Sequence, residues 1–142
     1  MKIKILRDCE TIRYAAEELK KYLNMMDMRI NAEICETATE GENILSLGLL
    51  SDLSLDSSDV SDAMIDDVID VNIDRLTGYV AGSNERSVLM GVYSYLKSAG
   101  CRWVRPGDKG EFIPKADMVN HTFKFRKKAD FPFRGECIEG AV

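Results

Sequence analysis

A single histidine, His121, and four cysteines with no C-x-x-C pair leave this sequence without the ligand spacing of a zinc site. Cys9, Cys35, Cys101 and Cys137 lie far apart and are expected to be reduced, partly buried thiols. In an oxidising compartment two disulfides could form in any of three pairings, and spacing does not choose among them. With only three prolines, 45% hydrophobic and 30% charged residues, the chain lacks the composition of a disordered or fibrous protein. Its 142 residues suit one domain with a core of its own.

Positive charge is outnumbered, with 19 Lys and Arg against 24 Asp and Glu. The net charge is −5, which argues against a nucleic-acid partner, because counterion release from phosphates needs an excess of Lys and Arg. From Glu33 to Asp74 there are twelve Asp or Glu and no Lys or Arg, whereas Arg102 to Arg134 is rich in basic residues. Such asymmetry is expected to mark a solvated face, with steering of a partner as the alternative. No apolar run approaches the ~20 residues that span a bilayer, so no membrane association is expected. Met1-Lys-Ile-Lys leads into a strand pattern and not into a secretory core. A soluble cytoplasmic protein and an exported one that has lost its signal peptide both fit.

What is present reads as an α+β domain, a mixed sheet of about five strands with two helices packed on it. Ile3 and Ile5 alternate with Lys2 and Lys4 in a first strand. Asp8 stands as a helix N-cap, and Ile12, Ala15, Ala16, Leu19, Leu23 and Met26 recur at helical spacing, predicting a helix from about Cys9 to Met26. Glu17, Glu18, Lys20 and Lys21 fill its other face. Alternation over Arg29 to Cys35 and an apolar run over Ile44 to Leu50 predict two strands, joined by a turn at Thr39 to Asn43. Ser51 to Asp67, mostly Ser and Asp, predicts an exposed loop with a short helical turn. Val68 to Asp74 and Tyr79 to Ala81, around Arg75 to Gly78, predict a hairpin. Gly82-Ser83-Asn84 then supplies a cap for a second helix whose stripe is Val88, Val92, Tyr95, Leu96 and Ala99, ended by Gly100. The order is β-α-β-β-loop-β-β-α, followed by an irregular segment with Pro106, Gly107 and Pro114 and a final strand over Thr122 to Arg126. The domain is placed at residues 1–128 and a linker at 129–142.

No motif carries chemistry of its own. Asp70-x-Asn72-x-Asp74 resembles the start of a calcium loop, but Arg75 and Ala81 stand where that loop needs Gly and Glu, so alternate polar residues on a wet strand face explain it better. Gly82-Ser83-Asn84 lacks the glycines and the Lys of a phosphate loop. His121 has no Ser or Cys companion in a recognisable motif and is expected to be a surface or linker residue. Two carboxylates across a sugar would be needed for glycoside hydrolysis, and nothing marks such a pair. No catalytic residue, metal ligand or cofactor is assigned.

The stretch Gly78 to Pro114 resembles the non-catalytic N-terminal domain shared by α-glucuronidases and β-hexosaminidases, on Gly82, Gly91, Tyr93, Leu96, Gly100, Cys101, Arg102, Trp103, Pro106, Gly107, Gly110, Glu111 and Pro114. In those enzymes the domain precedes a (β/α)₈ barrel. The resemblance implies an accessory domain of a carbohydrate-active hydrolase, with the barrel as intramolecular partner. Trp103, Arg102, Pro106 and Gly107 would be structural or face the barrel, through the Cys101 to Pro114 region and the exit segment. Phe131 to Gly140 is similar to the entry into the first barrel strand, so Arg134 becomes a candidate for binding sugar hydroxyls, with Glu136 and Glu139 weaker. Gly91 would let its helix approach the sheet, and Pro106-Gly107 would make a tight turn. A barrel needs ~250 residues, so the catalytic acids are expected beyond Val142 and this chain alone is expected to be inactive. The rival expectation is a free-standing module that binds carbohydrate or protein.

Overall fold

The computed structural model describes residues 1–37 and 43–131. The turn expected at Thr39 to Asn43, apart from Asn43, and the candidates Arg134, Glu136 and Glu139 lie outside the described residues, as does Cys137. The first strand, β1 (Lys2–Ile5), is followed by helix α1 (Glu10–Met26), then β2 (Glu33–Cys35) and β3 (Ile44–Leu49). A hairpin of β4 (Val68–Asp74) and β5 (Thr77–Gly82) leads into helix α2 (Glu85–Ser98). Two short strands, β6 (Arg102–Trp103) and β7 (Glu111–Phe112), form a separate small sheet, and β8 (Thr122–Lys128) completes the main one.

The fold is α+β, and the main sheet has six strands in the order β2-β1-β3-β5-β4-β8. Strands β2, β1, β3 and β5 run parallel, while β4 is antiparallel to both β5 and β8. The sixth strand comes from the tail. Its residues Phe123 and Phe125 stand opposite Ile73 and Val71, so both rings join the helix-side core.

Both helices bury the stripes that their periodicity predicts. Along α1 these are Ile12, Ala15, Ala16, Leu19 and Leu23, with Tyr22 and Met26. Each fully buried large side chain contributes about 1.5–3 kcal/mol, which stabilises helices too short to stand alone. The N-cap of α1 is Cys9 and not Asp8: Ile12 N–H donates to Cys9 Sγ at 3.4 Å, while Asp8 is drawn outward to accept from Arg13 Nε at 2.7 Å. The strand expected over Arg29 to Cys35 shortens to its last three residues, because Asn24 Oδ1 takes the Ala32 N–H and Asp27 takes that of Arg29 before a ladder can start. Ile30 and Ala32 are buried all the same. At the β4–β5 turn both Arg75 (φ 46°) and Leu76 (φ 65°) are left-handed, as a two-residue hairpin turn requires.

The opposite face of the sheet is polar and partly roofed by the Ser51–Asp67 loop. There Leu50, Val68 and Ala81 form a second small core with Leu53, Leu55, Val60 and Tyr79. Asp56 and Asp62 accept the N–H groups of Ser58 and Met64, so acidic side chains close local turns. Arg126 of β8 then bridges Asp59 (2.8 Å) and Asp70 (2.6 Å), and Lys128 reaches Asp66 (3.2 Å). Part of the charge asymmetry is therefore answered within the molecule, the basic tail strand clamping the acidic loop. Asp70 is only partly exposed for this reason, whereas Asn72 and Asp74 are wet as expected.

Tyr95 is fully buried against His121 and Phe123, and its hydroxyl has no hydrogen-bond partner among the described residues. A buried unsatisfied hydroxyl costs about 1–3 kcal/mol. Tyr95→Phe is accordingly expected to be neutral or to stabilise by up to ~1 kcal/mol, measured by urea unfolding. A loss of ~1 kcal/mol or more would mean that the hydroxyl is bonded after all.

Candidate functional site

A cleft of about 730 Å³ lies between the exposed shoulders of α1 and α2, closed at one end by the β6–β7 hairpin. Tyr14, Glu18, Lys21 and Tyr22 come from α1, Met90, Tyr93 and Lys97 from α2, and Trp103 to Gly107 with Glu111 from the hairpin. Tyr14, Glu18 and Lys21 recur at i, i+4 and i+7, as Met90, Tyr93 and Lys97 do at i, i+3 and i+7. Each set therefore lines one edge of its helix.

Trp103 is held edge-on between two tyrosines, with ring centroids 5.1 Å from Tyr22 and 4.9 Å from Tyr93. Its Nε1–H donates to the Tyr22 hydroxyl at 3.1 Å, and that hydroxyl donates to Glu111 Oε1 at 2.7 Å. Lys21 Nζ donates to the same hydroxyl at 3.2 Å and lies 3.7 Å from Glu111 Oε2. Across the cleft the Tyr93 hydroxyl donates to Glu18 Oε2 at 2.6 Å. Burial, then the Glu18 carboxylate, pushes the Tyr93 phenol well above the usual tyrosine range, so it stays a donor at every physiological pH. Two carboxylates are thus fixed by phenols, and three rings pack edge to face.

Among the residues singled out from the sequence, Trp103 lies in the cleft wall. Pro106 and Gly107 sit on its exposed rim, where Gly107 (φ 87°) makes the expected tight turn. Arg102 faces elsewhere. Its Nη1 donates to the carbonyls of Lys97 (2.9 Å) and Cys101 (2.7 Å), closing the C-terminal end of α2. Gly91 sits over the sheet with Val80 beneath it, as the close approach predicts.

No motif in the sequence marks Tyr14, Met90 or Lys97, and Glu18 and Lys21 read there as solvated surface. The available signal was an aromatic ring, Tyr14, on the polar face of α1 at helical spacing from an acid and a base.

His121 does have a companion in space: Ser98 Oγ lies 2.8 Å from its Nε2. The Ser98 hydroxyl also reaches the Tyr95 carbonyl at 2.6 Å, and when it donates there the His121 Nε2–H is the donor toward Ser98. The pair closes the end of α2; its spacing is within nucleophile–base reach, but among the described residues no third group holds the other ring nitrogen of His121. Burial holds the His121 pKa below its ordinary value.

Cys9, Cys35 and Cys101 are free, and burial pushes the Cys101 thiol up to about 11, which makes it inert. Among the described residues no group of three or more His, Cys, Asp or Glu is placed to hold a metal ion, and no helix is long and apolar enough to cross a membrane. No protein-family model matches the chain, and no curated protein matches its sequence.

Proposed function

We propose that this chain is the non-catalytic N-terminal accessory domain of a glycoside hydrolase, built to carry and steady a (β/α)₈ barrel that its own residues do not contain. The observation that carries this reading is where the backbone leaves the sheet. After β8 the Ala129 N–H is fastened to the Asp67 carbonyl at 2.8 Å. Ala129, Asp130 and Phe131 then line a shallow, mainly apolar groove with Ile69, Lys127 and Met90 of α2. On this reading the following domain would meet the helix side, where Met90, Val104 and Phe131 are exposed.

Glu18 and Glu111 serve as acceptors for tyrosine hydroxyls. In the longer protein Arg134 would stand at the mouth of the barrel, where a guanidinium suits a fork of sugar hydroxyls.

The test is a glycosidase assay on two lengths of chain. The 142-residue protein is expected to release no aryl aglycone from any of a panel of aryl glycosides, while the product of the reading frame continued through a barrel does. Turnover by the short chain would overturn the proposal, as would a continued frame with no β/α repeats. In the long form Met90→Glu is expected to loosen the barrel, read as separate melting of two units, while shifting this domain's own stability by no more than ~0.5 kcal/mol.

A further inference from the structure

We infer that the cleft between α1 and α2 is a binding site for one or two pyranose units of a neutral saccharide. Its volume, about 730 Å³, falls in the range of about 300–1,000 Å³ typical of small-molecule sites. Composition narrows the class of ligand. A sugar ring presents apolar C–H faces and a rim of hydroxyls that both donate and accept, so its site needs aromatic surface beside fixed polar groups of both kinds. Tyr14, 52% exposed, and the half-buried Trp103 and Tyr93 supply the aromatic surface. Glu18 and Glu111 supply acceptors, and Lys21, Lys97 and Arg105 supply donors.

Both carboxylates and the indole are already in place before any ligand arrives. Glu18 is held through one oxygen by Tyr93 and Glu111 through one oxygen by Tyr22, leaving each carboxylate lone pairs to spare. Trp103 is locked by its indole hydrogen bond and by two edge-on rings. Side chains immobilised by the fold lose little further entropy on binding, which is how preorganised sites gain affinity. Charge selects against other ligands. Two carboxylates interleaved with three cations give no field of one sign, so polyanions and polycations each meet repulsion, whereas a neutral polyol satisfies both sets.

This inference takes its biological setting from the hydrolase reading, but its test uses the 142-residue chain alone, so either can fail without the other. Trp103 is the only tryptophan and reports on the cleft directly. Titration with neutral xylo-, cello-, malto- and chito-oligosaccharides is expected to give a saturable fluorescence change for at least one series, with Kd of about 1 mM or tighter. Tyr14→Ala and Lys97→Ala, both at exposed positions, are each expected to weaken that binding about tenfold, or ~1.4 kcal/mol, with unchanged melting temperatures. A panel silent by fluorescence and by calorimetry would overturn the assignment. So would a saturable change that both variants retain at full strength, because the sugar would then sit elsewhere and the ring cluster would serve only to pin the hairpin.

Discussion

Asp27→Ala is expected to lower the unfolding free energy by about 3 kcal/mol, a large effect for one residue at the end of a helix. The Asp27 side chain is only 5% exposed and accepts from five directions. The N–H of Arg29 (3.1 Å) and the Arg29 guanidinium (2.9 and 2.7 Å) bind it from one side, and the N–H groups of Met118 (3.1 Å) and Val119 (3.4 Å) from the other. Arg29 also pairs with Asp117, so the cluster ties the exit of α1 to the segment that leads into β8. Removing the carboxylate would leave the half-buried Val119 N–H without its acceptor and the buried Met118 N–H with only the Ala116 carbonyl at 3.0 Å, and an unsatisfied donor costs about 1–3 kcal/mol. The Arg29 groups can turn to water, which is why the sum is held near 3.

The Arg29 hydrogen bonds hold the Asp27 carboxyl well below its ordinary value of 3.8, outweighing burial, which acts in the opposite direction. A carboxylate whose folded pKa is depressed contributes stability that is fully present above its unfolded pKa and is lost as pH falls toward the folded one. Unfolding free energy of the parent should therefore decline more steeply than that of the variant from about pH 5 downward. Hydrogen exchange at the Met118 and Val119 amides should accelerate in the variant more than exchange in β1 or β3, because the strap opens before the sheet does. A variant within ~1 kcal/mol of the parent, with unchanged exchange at those two amides, would show that the strap is held by Met118 packing alone.

The sequence disclosed whatever depends on period and on local chemistry. Ile3 and Ile5, the Ile12 to Met26 stripe and a cap within Gly82-Ser83-Asn84 each announce themselves within a few residues, because strand and helix impose local patterns directly. Asp27 illustrates the opposite case. Its bonds from Arg29 are local, but its tie to the segment before β8 is made by amides about ninety residues away, which nothing beside it in the chain announces. The acidic loop and the basic tail strand were each visible as charge runs, yet that Arg126 joins Asp59 to Asp70 follows only from β8 taking the edge beside β4.

The cleft was hidden for the same reason. Glu18 and Lys21 look like an ordinary wet face until α2 and the hairpin are laid alongside. Trp103 was legible as a packing residue, but its two tyrosine partners were not. The periodicity of α1 also placed the N-cap one residue early, since a thiol can replace the expected carboxylate as acceptor.

Gly91 is where local preference and tertiary packing oppose each other most directly, and packing is expected to win. In a helix interior Gly→Ala gains up to about 1 kcal/mol from backbone entropy alone. A Cβ at position 91, however, would lie 2.6 Å from Val80 Cγ1, 3.2 Å from Ile69 Cγ2 and 3.4 Å from Val71 Cγ2, all in the packed centre of the sheet. Overpacking of that kind costs about 1–3 kcal/mol, so Gly91→Ala should lose ~1 kcal/mol net. Gly91→Leu adds three more carbons with no void to enter and should lose about 3 kcal/mol or more. The helix can relieve the clash only by lifting off β4 and β5, and it would carry Met90 and Tyr93 with it. Trp103 would then lose its contact with Tyr93, so the leucine variant should show shifted Trp fluorescence in the native state as well as an earlier urea midpoint. Parent-like stability in Gly91→Leu, within ~1 kcal/mol, would mean that α2 already rides high enough to accept a side chain. The glycine would then have no packing reason to be there.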